Sequence, residues 1–214
     1  LYRYRMVQRL LPGVSVDDLY VPDFGNPYGI YVDDKFMRTG VDYQYYYAKQ
    51  VSGALSATDG RKTVMELGGG IGGFAYFLNK MQDNLTYINL DLPEILCISA
   101  YQLLNLFPEK KILLYGETEN LSTETIASYD MALLPSFLIE ELADDSVNIS
   151  FNSYSLAEIS PDSINNYVNQ ISRITSDSII HVNHVSNAVM GADKFAFNAE
   201  KFELISRTRA LWNL

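Results

Sequence analysis

The sequence predicts an α/β fold, with a mainly parallel central sheet flanked by helices and preceded by a cap of helices and loops. Three observations predict it. From residue 61 short apolar strands alternate with amphipathic helices, the pattern of parallel strands joined by helical crossovers. Five glycines in six residues, Gly68 to Gly73, separate the first of these strands from the first of these helices. Residues 1–60 have a different texture: nine of the sixteen tyrosines fall before residue 50, among the turn signals Pro12-Gly13 and Gly25-Asn26-Pro27.

At 214 residues the chain suits one compact unit with a sizeable core, the cap over 1–60 joined to a ligand-binding domain over 61–214. Lys and Arg number 16 against 26 Asp and Glu, a formal net charge of -10. That field repels phosphate backbones and anionic lipid, so nucleic acid and membranes are not expected as partners. No run reaches the ~18 apolar residues of a membrane span, and the N-terminus lacks a secretory apolar core. The single cysteine, Cys97, sits in an apolar helical stretch and reads as a buried, reduced thiol, which points to a cytoplasmic protein.

Taken in order, Thr39-Gly-Val-Asp42 reads as a capping box opening a helix. Its apolar stripe is Tyr43, Tyr47, Val51, Ala54 and Leu55, and Tyr43 and Tyr47 also offer ring faces and hydroxyls to a substrate. Residues 63–67 form a strand and 74–81 a helix, and residues 85–91 form a strand ending on Asp91. Pro93 then suits the first turn of a helix running to about residue 107. Further strands are expected at 111–115, 131–134, 147–151 and 178–183, with a last one at 202–208. Ser160-Pro161 opens a helix that places Ile164, Tyr167, Val168, Ile171 and Ile174 on one face.

Ligands of such sheets bind beyond the carboxyl ends of the strands, here residues 66–73, Asp91, 135–137, 152–155 and 183–187. Glycine admits close approach of a ligand to the backbone, and the helix that follows the turn directs free N–H groups at it. Two fingerprints fit. Gly68, Gly70 and Gly73 spell G-x-G-x-x-G, a dinucleotide signature. Glu66, Gly68, Gly70 and Gly72 spell E-x-G-x-G-x-G, which resembles the first motif of class I S-adenosylmethionine (SAM) methyltransferases. Either pattern wants an acid on the next strand for the ribose hydroxyls, and Asp91 supplies it. Glu66 favours the second, because a carboxylate there faces the charged amino-acid end of SAM and would repel a pyrophosphate.

Several blocks together resemble the sugar O-methyltransferases of bacteria, a group with the Rossmann-like SAM methyltransferase fold. These are Glu66-Leu-Gly-Gly-Gly-Ile-Gly-Gly-Phe-Ala-Tyr76, Asn89-Leu-Asp-Leu-Pro-Glu94, Phe151-Asn-Ser-Tyr-Ser-Leu-Ala-Glu158 and His181-Val-Asn-His184. Gly25-Asn-Pro27 and the tyrosine-rich helix are also similar, and the likeness spans roughly residues 23 to 212. It implies SAM as cofactor and S-adenosylhomocysteine as product. Glu66, Gly68, Gly69, Gly70 and Gly72 would cradle the methionine part, Asp91 the ribose and Leu92 the adenine. Ser136 and Phe137 fall at the loop that contacts adenine, and Asn152 joins the cofactor side. The acid common at that loop is absent here, and Asn148 replaces the acid that commonly opens the following strand.

Methyl transfer to a hydroxyl requires alignment of acceptor and methyl, and removal of the acceptor's proton. His184, at the end of the 178–183 strand, is the candidate base. Glu158 is the second candidate, as base or as the group that orients His184. Tyr154, with Tyr43 and Tyr47, is expected to bind the acceptor, a sugar, glycoconjugate or other small molecule. His181 lies three residues from His184, which puts the two on opposite faces of a strand, so they do not make a metal pair. Glu140, Glu141, Asp144 and Asp145 read as a solvated acidic loop, and no metal is expected.

Three other readings compete. A small-molecule N-methyltransferase shares the fold, although Asn152-Ser-Tyr-Ser155 lacks the prolines of nucleic-acid amino-methyltransferases. An NAD-dependent oxidoreductase would use the glycine turn, but Tyr45-x-x-x-Lys49, its one catalytic-looking pair, precedes the turn rather than following it. The third is a catalytically silent methyltransferase-like assembly domain. The chain ends near Trp212, early for an antiparallel closing pair, which would leave a sheet edge for a second subunit in a homo-oligomer.

Overall fold

The computed structural model describes residues 2–55, 60–186 and 188–210. Trp212 and Asn187 lie outside the described residues. The cap contains helix α1 (Tyr2–Leu10), a hairpin of β1 (Gly29–Val32) and β2 (Lys35–Arg38), and helix α2 (Val41–Leu55). The rest alternates β3 (Lys62–Leu67), α3 (Gly73–Met81), β4 (Leu85–Asp91), α4 (Pro93–Leu106), β5 (Ile112–Leu114), α5 (Thr123–Ala127), β6 (Met131–Pro135), β7 (Val147–Ser153), α6 (Pro161–Ile174) and β8 (Thr175–Val182). Short 3-10 turns follow β6 and β7.

Six strands pair in parallel in the order β5-β6-β4-β3-β7-β8. The chain enters at β3 in the middle, fills one side through β4, β5 and β6, then crosses to fill the other with β7 and β8. This is a doubly wound, Rossmann-like α/β sheet. Its strand order reverses between β3 and β7, the point beyond whose carboxyl ends ligands of such sheets bind.

Strand periodicity sorts side chains onto two faces. Val64, Leu85, Tyr87 and Phe151 join one buried cluster with α3, α4 and the cap, including Val7, Leu19, Val41, Ala48 and Val51. Met65, Leu67, Ile88 and Leu90 join a second with α5 and α6. Cap and sheet therefore share one core, in which Tyr45 lies edge-on to Phe77 and Phe74 stacks on Phe151. The same alternation puts Glu66, Asn89 and Asp91 on the cap face, at the carboxyl ends of β3 and β4.

Three expectations are corrected. Cys97 is exposed, because α4 buries Leu96, Ser99, Gln102 and Leu103 and leaves Ile98, Tyr101 and Leu104 to solvent. The helix after Thr39 starts one residue later than a Thr39 cap requires: the Gly40 carbonyl accepts from Gln44, and Asp42 lies inside the first turn, buried. Residues 202–208 form no strand, so among the described residues β8 is the sheet's last member on its side. The segment after β8 instead folds back in turns, with Phe195 and Phe197 against His181 and Asn198 bonded to Ser172.

The acidic loop between β6 and β7 is engaged by neighbouring donors. Asp144 pairs with Arg173 at 2.6 Å, Asp145 with Lys201, and Glu140 accepts from Asn166 at 3.2 Å. Asn148 ties strand starts together, accepting from the Thr63 N–H and donating to Asp177. No helix is long and apolar enough to cross a membrane among the described residues.

Candidate functional site

The glycine turn is held from three directions. Gly68 has a φ of 76°, open to glycine at no cost, and a Cβ there would overlap the Ser155 hydroxyl. The Gly69 N–H donates to Asn89 Oδ1 at 3.2 Å, and Asn89 donates in turn to Ser99. The Gly70 N–H donates to Asp91 Oδ2 at 2.7 Å, while Asp91 Oδ1 accepts from the Leu92 N–H at 2.7 Å. At the exit, Leu103 lies 3.0 Å from where a Gly72 Cβ would stand, and Gln44 of α2 occupies the space beside Gly73. Gly70 alone of these faces open space.

Beneath the turn Glu66 is buried, and its Oε2 accepts from the hydroxyl of fully buried Tyr87. Burial pushes the Glu66 carboxyl up to about 8, helped by the charge of Asp91 and opposed by the Tyr87 hydrogen bond. A cation brought to this point would restore the ionised form.

Across the β3/β7 switch point a polar clamp joins three strands. The Asn152 amide donates to the Leu67 carbonyl at 2.7 Å and to Ser155 Oγ at 2.6 Å, and its own oxygen accepts from Asn183 at 2.7 Å. Asn183 Oδ1 accepts from the Ala157 N–H, and the Tyr154 N–H donates to Val182. Both ends of Asn152 are thus engaged by protein, and its amide positions the base of the turn. Ser155 and Asn183 lay within the strand ends expected to border a ligand but carried no role there, and Asn89 and Tyr87 were not among the sequence candidates. The clamp is the physical reason for the Asn and Ser of the Asn-Ser-Tyr-Ser block and the Asn of His-Val-Asn-His.

Beyond the clamp, aromatic rings line up. Tyr154 lies 5.4 Å from His184 and 6.3 Å edge-on from Tyr43, while buried Tyr47 tilts against Phe151 at 5.8 Å. Tyr154 has a φ of 64°, a conformation that costs an aromatic residue roughly 1–2 kcal/mol. Its hydroxyl is buried with no hydrogen bond of normal geometry among the described residues. Burial first, then the neighbouring Tyr43, raise its pKa, and the nearby Tyr47 hydroxyl pulls the other way. Asp42 Oδ2, at the foot of the same helix turn as Tyr43, is likewise buried without a hydrogen bond among the described residues, with Arg3 at 4.0 Å.

On the other side of the turn, Leu92 and Phe137 stand exposed after the register pair Asp91 and Pro135, and Tyr115, after β5, lies edge-on to Phe137 at 6.1 Å. Ser136 accepts from the Tyr167 hydroxyl at 3.0 Å. Tyr115 extends this apolar wall and was not foreseen. Glu158 ends a 3-10 turn, exposed, and its carboxylate makes no hydrogen bond or ion pair among the described residues. His181 is turned away, between Phe195 and Phe197, with burial and then Arg207 lowering its pKa. Tyr45 is core and Lys49 exposed, so the two make no catalytic pair. A surface cavity lined by Val16, Asp17, Tyr20, Lys35 and Phe36 belongs to the cap and includes none of the candidate residues.

The residues fit a nucleoside carrying an amino-acid end. The turn leaves open space at Gly70, Asp91 stands at the end of β4 beside it, where the sequence expects an acid for the ribose, and the exposed Leu92 and Phe137 offer apolar faces to a base. A buried carboxyl beneath the turn fits a cation and opposes a pyrophosphate.

No protein-family model and no curated protein matches the chain. Among solved structures it is similar to the mitomycin 7-O-methyltransferase, at 16% identity over 71% of this chain and 39% of that one, with a TM-score of 0.46. The N-terminal domain of EvdMO1, solved with SAH bound, is similar at 12% identity over 82% of this chain and 62% of that one, TM-score 0.45. A geranyl diphosphate methyltransferase with GPP and sinefungin is similar at 13% identity over 64% and 44%, TM-score 0.43. The chain thus spans between 39% and 62% of the length of these proteins. At these identities and scores the likeness carries no argument, and the reading of the site rests on its own residues.

Proposed function

We propose that the chain is a SAM-dependent methyltransferase acting on a hydroxyl of a small molecule, a sugar or another polyol. The observation that carries the reading is the buried Glu66 carboxyl beneath the glycine turn, with Asp91 at its mouth. A dinucleotide site has no use for an acid behind the phosphates, whereas an ammonium group is well matched to one.

When bound, SAM supplies a methyl group activated by its sulfonium. Glu66 would hold the ammonium, the Gly68 to Gly70 backbone would border the amino-acid end, and Asp91 and Leu92 would take the ribose and the base. His184 would remove the proton of the acceptor hydroxyl. Tyr154, whose buried hydroxyl lies near that of Tyr47, would hold a second acceptor hydroxyl, and Tyr43 would flank the acceptor's face. The ring wall also excludes water from the acceptor side. The sugar assignment rests on this wall of tyrosine hydroxyls and faces, and on the resemblance of the four sequence blocks.

Calorimetric titration with S-adenosylhomocysteine and with NAD tests the reading. Micromolar binding of the first and none of the second is expected. The converse would overturn it. Methyl transfer from labelled SAM to a panel of sugars, polyols and small amines then identifies the acceptor.

A further inference from the structure

We infer that Tyr115 forms the far wall of the cofactor's base pocket, an assignment that rests on the methyltransferase reading and extends it. The order of the strands carries it. Along β3-β4-β6-β5 come Glu66 near the end of β3, Asp91 at the end of β4, Phe137 after β6 and Tyr115 after β5. In the proposed reading the first of these holds the ammonium and the second the ribose. The amino-acid end, ribose and base then follow the strands in the order of their own bonds, and the base falls over β6 and β5. Neighbouring strands stand ~4.8 Å apart, which sets the end of β5 roughly 10 Å beyond that of β4, about the reach of a purine from its ribose.

Local structure holds the ring in place. Residues 114–117 make a turn that closes β5: the Leu114 carbonyl accepts from the Glu117 N–H at 3.2 Å, and Gly116 at its third position has a φ of 90°. The Glu117 carboxylate folds back and accepts from the Leu114 N–H at 2.8 Å. Tyr115 is thus fixed at the second position of a turn bonded from both ends, and its side chain is 59% exposed. The strand is also short. Leu114 pairs with Leu133, while β6 runs on to Pro135 opposite Asp91, so the turn opens beside the loop that carries Phe137.

The two rings meet at a right angle, with centroids 6.1 Å apart and planes at 89°. Such a corner suits a flat heterocycle: laid on the face of one ring, it meets the other by its edge, and aromatic systems favour both contacts. Phe137 is itself 56% exposed, so the corner stands open to a ligand. Ser136 and Phe137 occupy the loop where the resemblance expects an acid for the base. Ring contact, rather than a charged hydrogen bond from that loop, is what these residues offer the base.

The test compares S-adenosylhomocysteine with S-ribosylhomocysteine, which keeps the ribose and the amino-acid end but has no base. Tyr115→Ala is expected to weaken binding of the first about 5- to 100-fold, the range for one lost base–ring contact. S-ribosylhomocysteine affinity is expected to stay within about twofold, which also shows that the variant is folded. Tyr115→Phe keeps the ring and should bind S-adenosylhomocysteine within about threefold of the unaltered chain. Unchanged S-adenosylhomocysteine affinity in Tyr115→Ala, equal losses for both ligands, or a loss in Tyr115→Phe as large as in Tyr115→Ala would overturn the assignment while leaving the methyltransferase reading intact. Failure of the unaltered chain to bind S-adenosylhomocysteine would overturn that reading, and the assignment with it.

Discussion

The Tyr87 hydroxyl donates to the Glu66 carboxylate across the register step between β3 and β4, with both side chains buried on the cap face of the sheet. The pair holds an acid where water cannot solvate its charge. Burial and the nearby Asp91 raise Glu66 from 4.5 to about 8, despite the Tyr87 bond.

Because the folded pKa exceeds the unfolded one, the folded chain binds the extra proton between these values. Stability from this group is full below pH 4.5 and is lost as pH rises through about 8. Thermal unfolding of the free protein should show a decline in melting temperature from pH 5 to pH 8 that is smaller in Glu66→Gln. Parallel curves for the two proteins would remove Glu66 as the cause.

A cationic ligand should reverse that preference, since it favours ionised Glu66. Affinity for S-adenosylhomocysteine should rise with pH by up to about tenfold per unit below the folded pKa, with one proton released on binding. Calorimetry in buffers of different ionisation enthalpy measures that proton. Glu66→Gln should bind more weakly and release none.

Asp91 staples Gly70 and Leu92, and in the proposed reading it would hold the ribose. Asp91→Ala should weaken S-adenosylhomocysteine binding by about 10-fold or more, through lost hydroxyl contacts and a loosened turn. Unchanged affinity in the same titration would refute the ribose role.

Gly68 tolerates neither a side chain nor an ordinary φ, with Ser155 over its α-carbon. Gly68→Ala should cost about 2 to 4 kcal/mol in urea unfolding, combining overpacking with backbone strain. A loss below about 0.5 kcal/mol, within the scatter of surface substitutions, would show that the turn relaxes freely.

Tyr154 gives a test of stored strain. At most positions glycine is less stable than alanine; at a φ of 64° the order should invert, with Tyr154→Gly more stable than Tyr154→Ala by about 1 kcal/mol. The usual order in denaturant unfolding would argue against strain at this residue. His184→Ala should leave S-adenosylhomocysteine binding intact and abolish methyl transfer to whichever acceptor the panel identifies. Full activity would remove it as base.

The strand, glycine turn, helix and distal acid were legible because each is encoded locally, and the strand expected at 85–91 is β4 without a shift. The clamp was not. Asn152 was legible as a polar residue beside the cofactor mouth, but its partner, the Leu67 carbonyl, lies 85 positions away and is a backbone atom that carries no residue signature. The hairpin of β1 and β2 left a signal that went unread: Asp33 and Asp34, both at positive φ, are the two-residue turn that a twisted hairpin requires. Cys97 misled because α4 is apolar on more than one side, so hydropathy could not say which side meets the sheet. The strand expected at 202–208 had the right composition, yet composition cannot supply a neighbour to pair with.

The Gln44 side chain fills the space beside Gly73, so the helix that carries Tyr43 and Tyr47 abuts the first residue of α3. In the proposed reading, the seat of the donor and the wall for the acceptor would therefore move as one part. A cap that changed its tilt to admit a bulkier acceptor would press on the turn or draw away from it. In that reading, acceptor range would then be set by the tips of side chains along α2, with the axis of the helix held by its packing on α3.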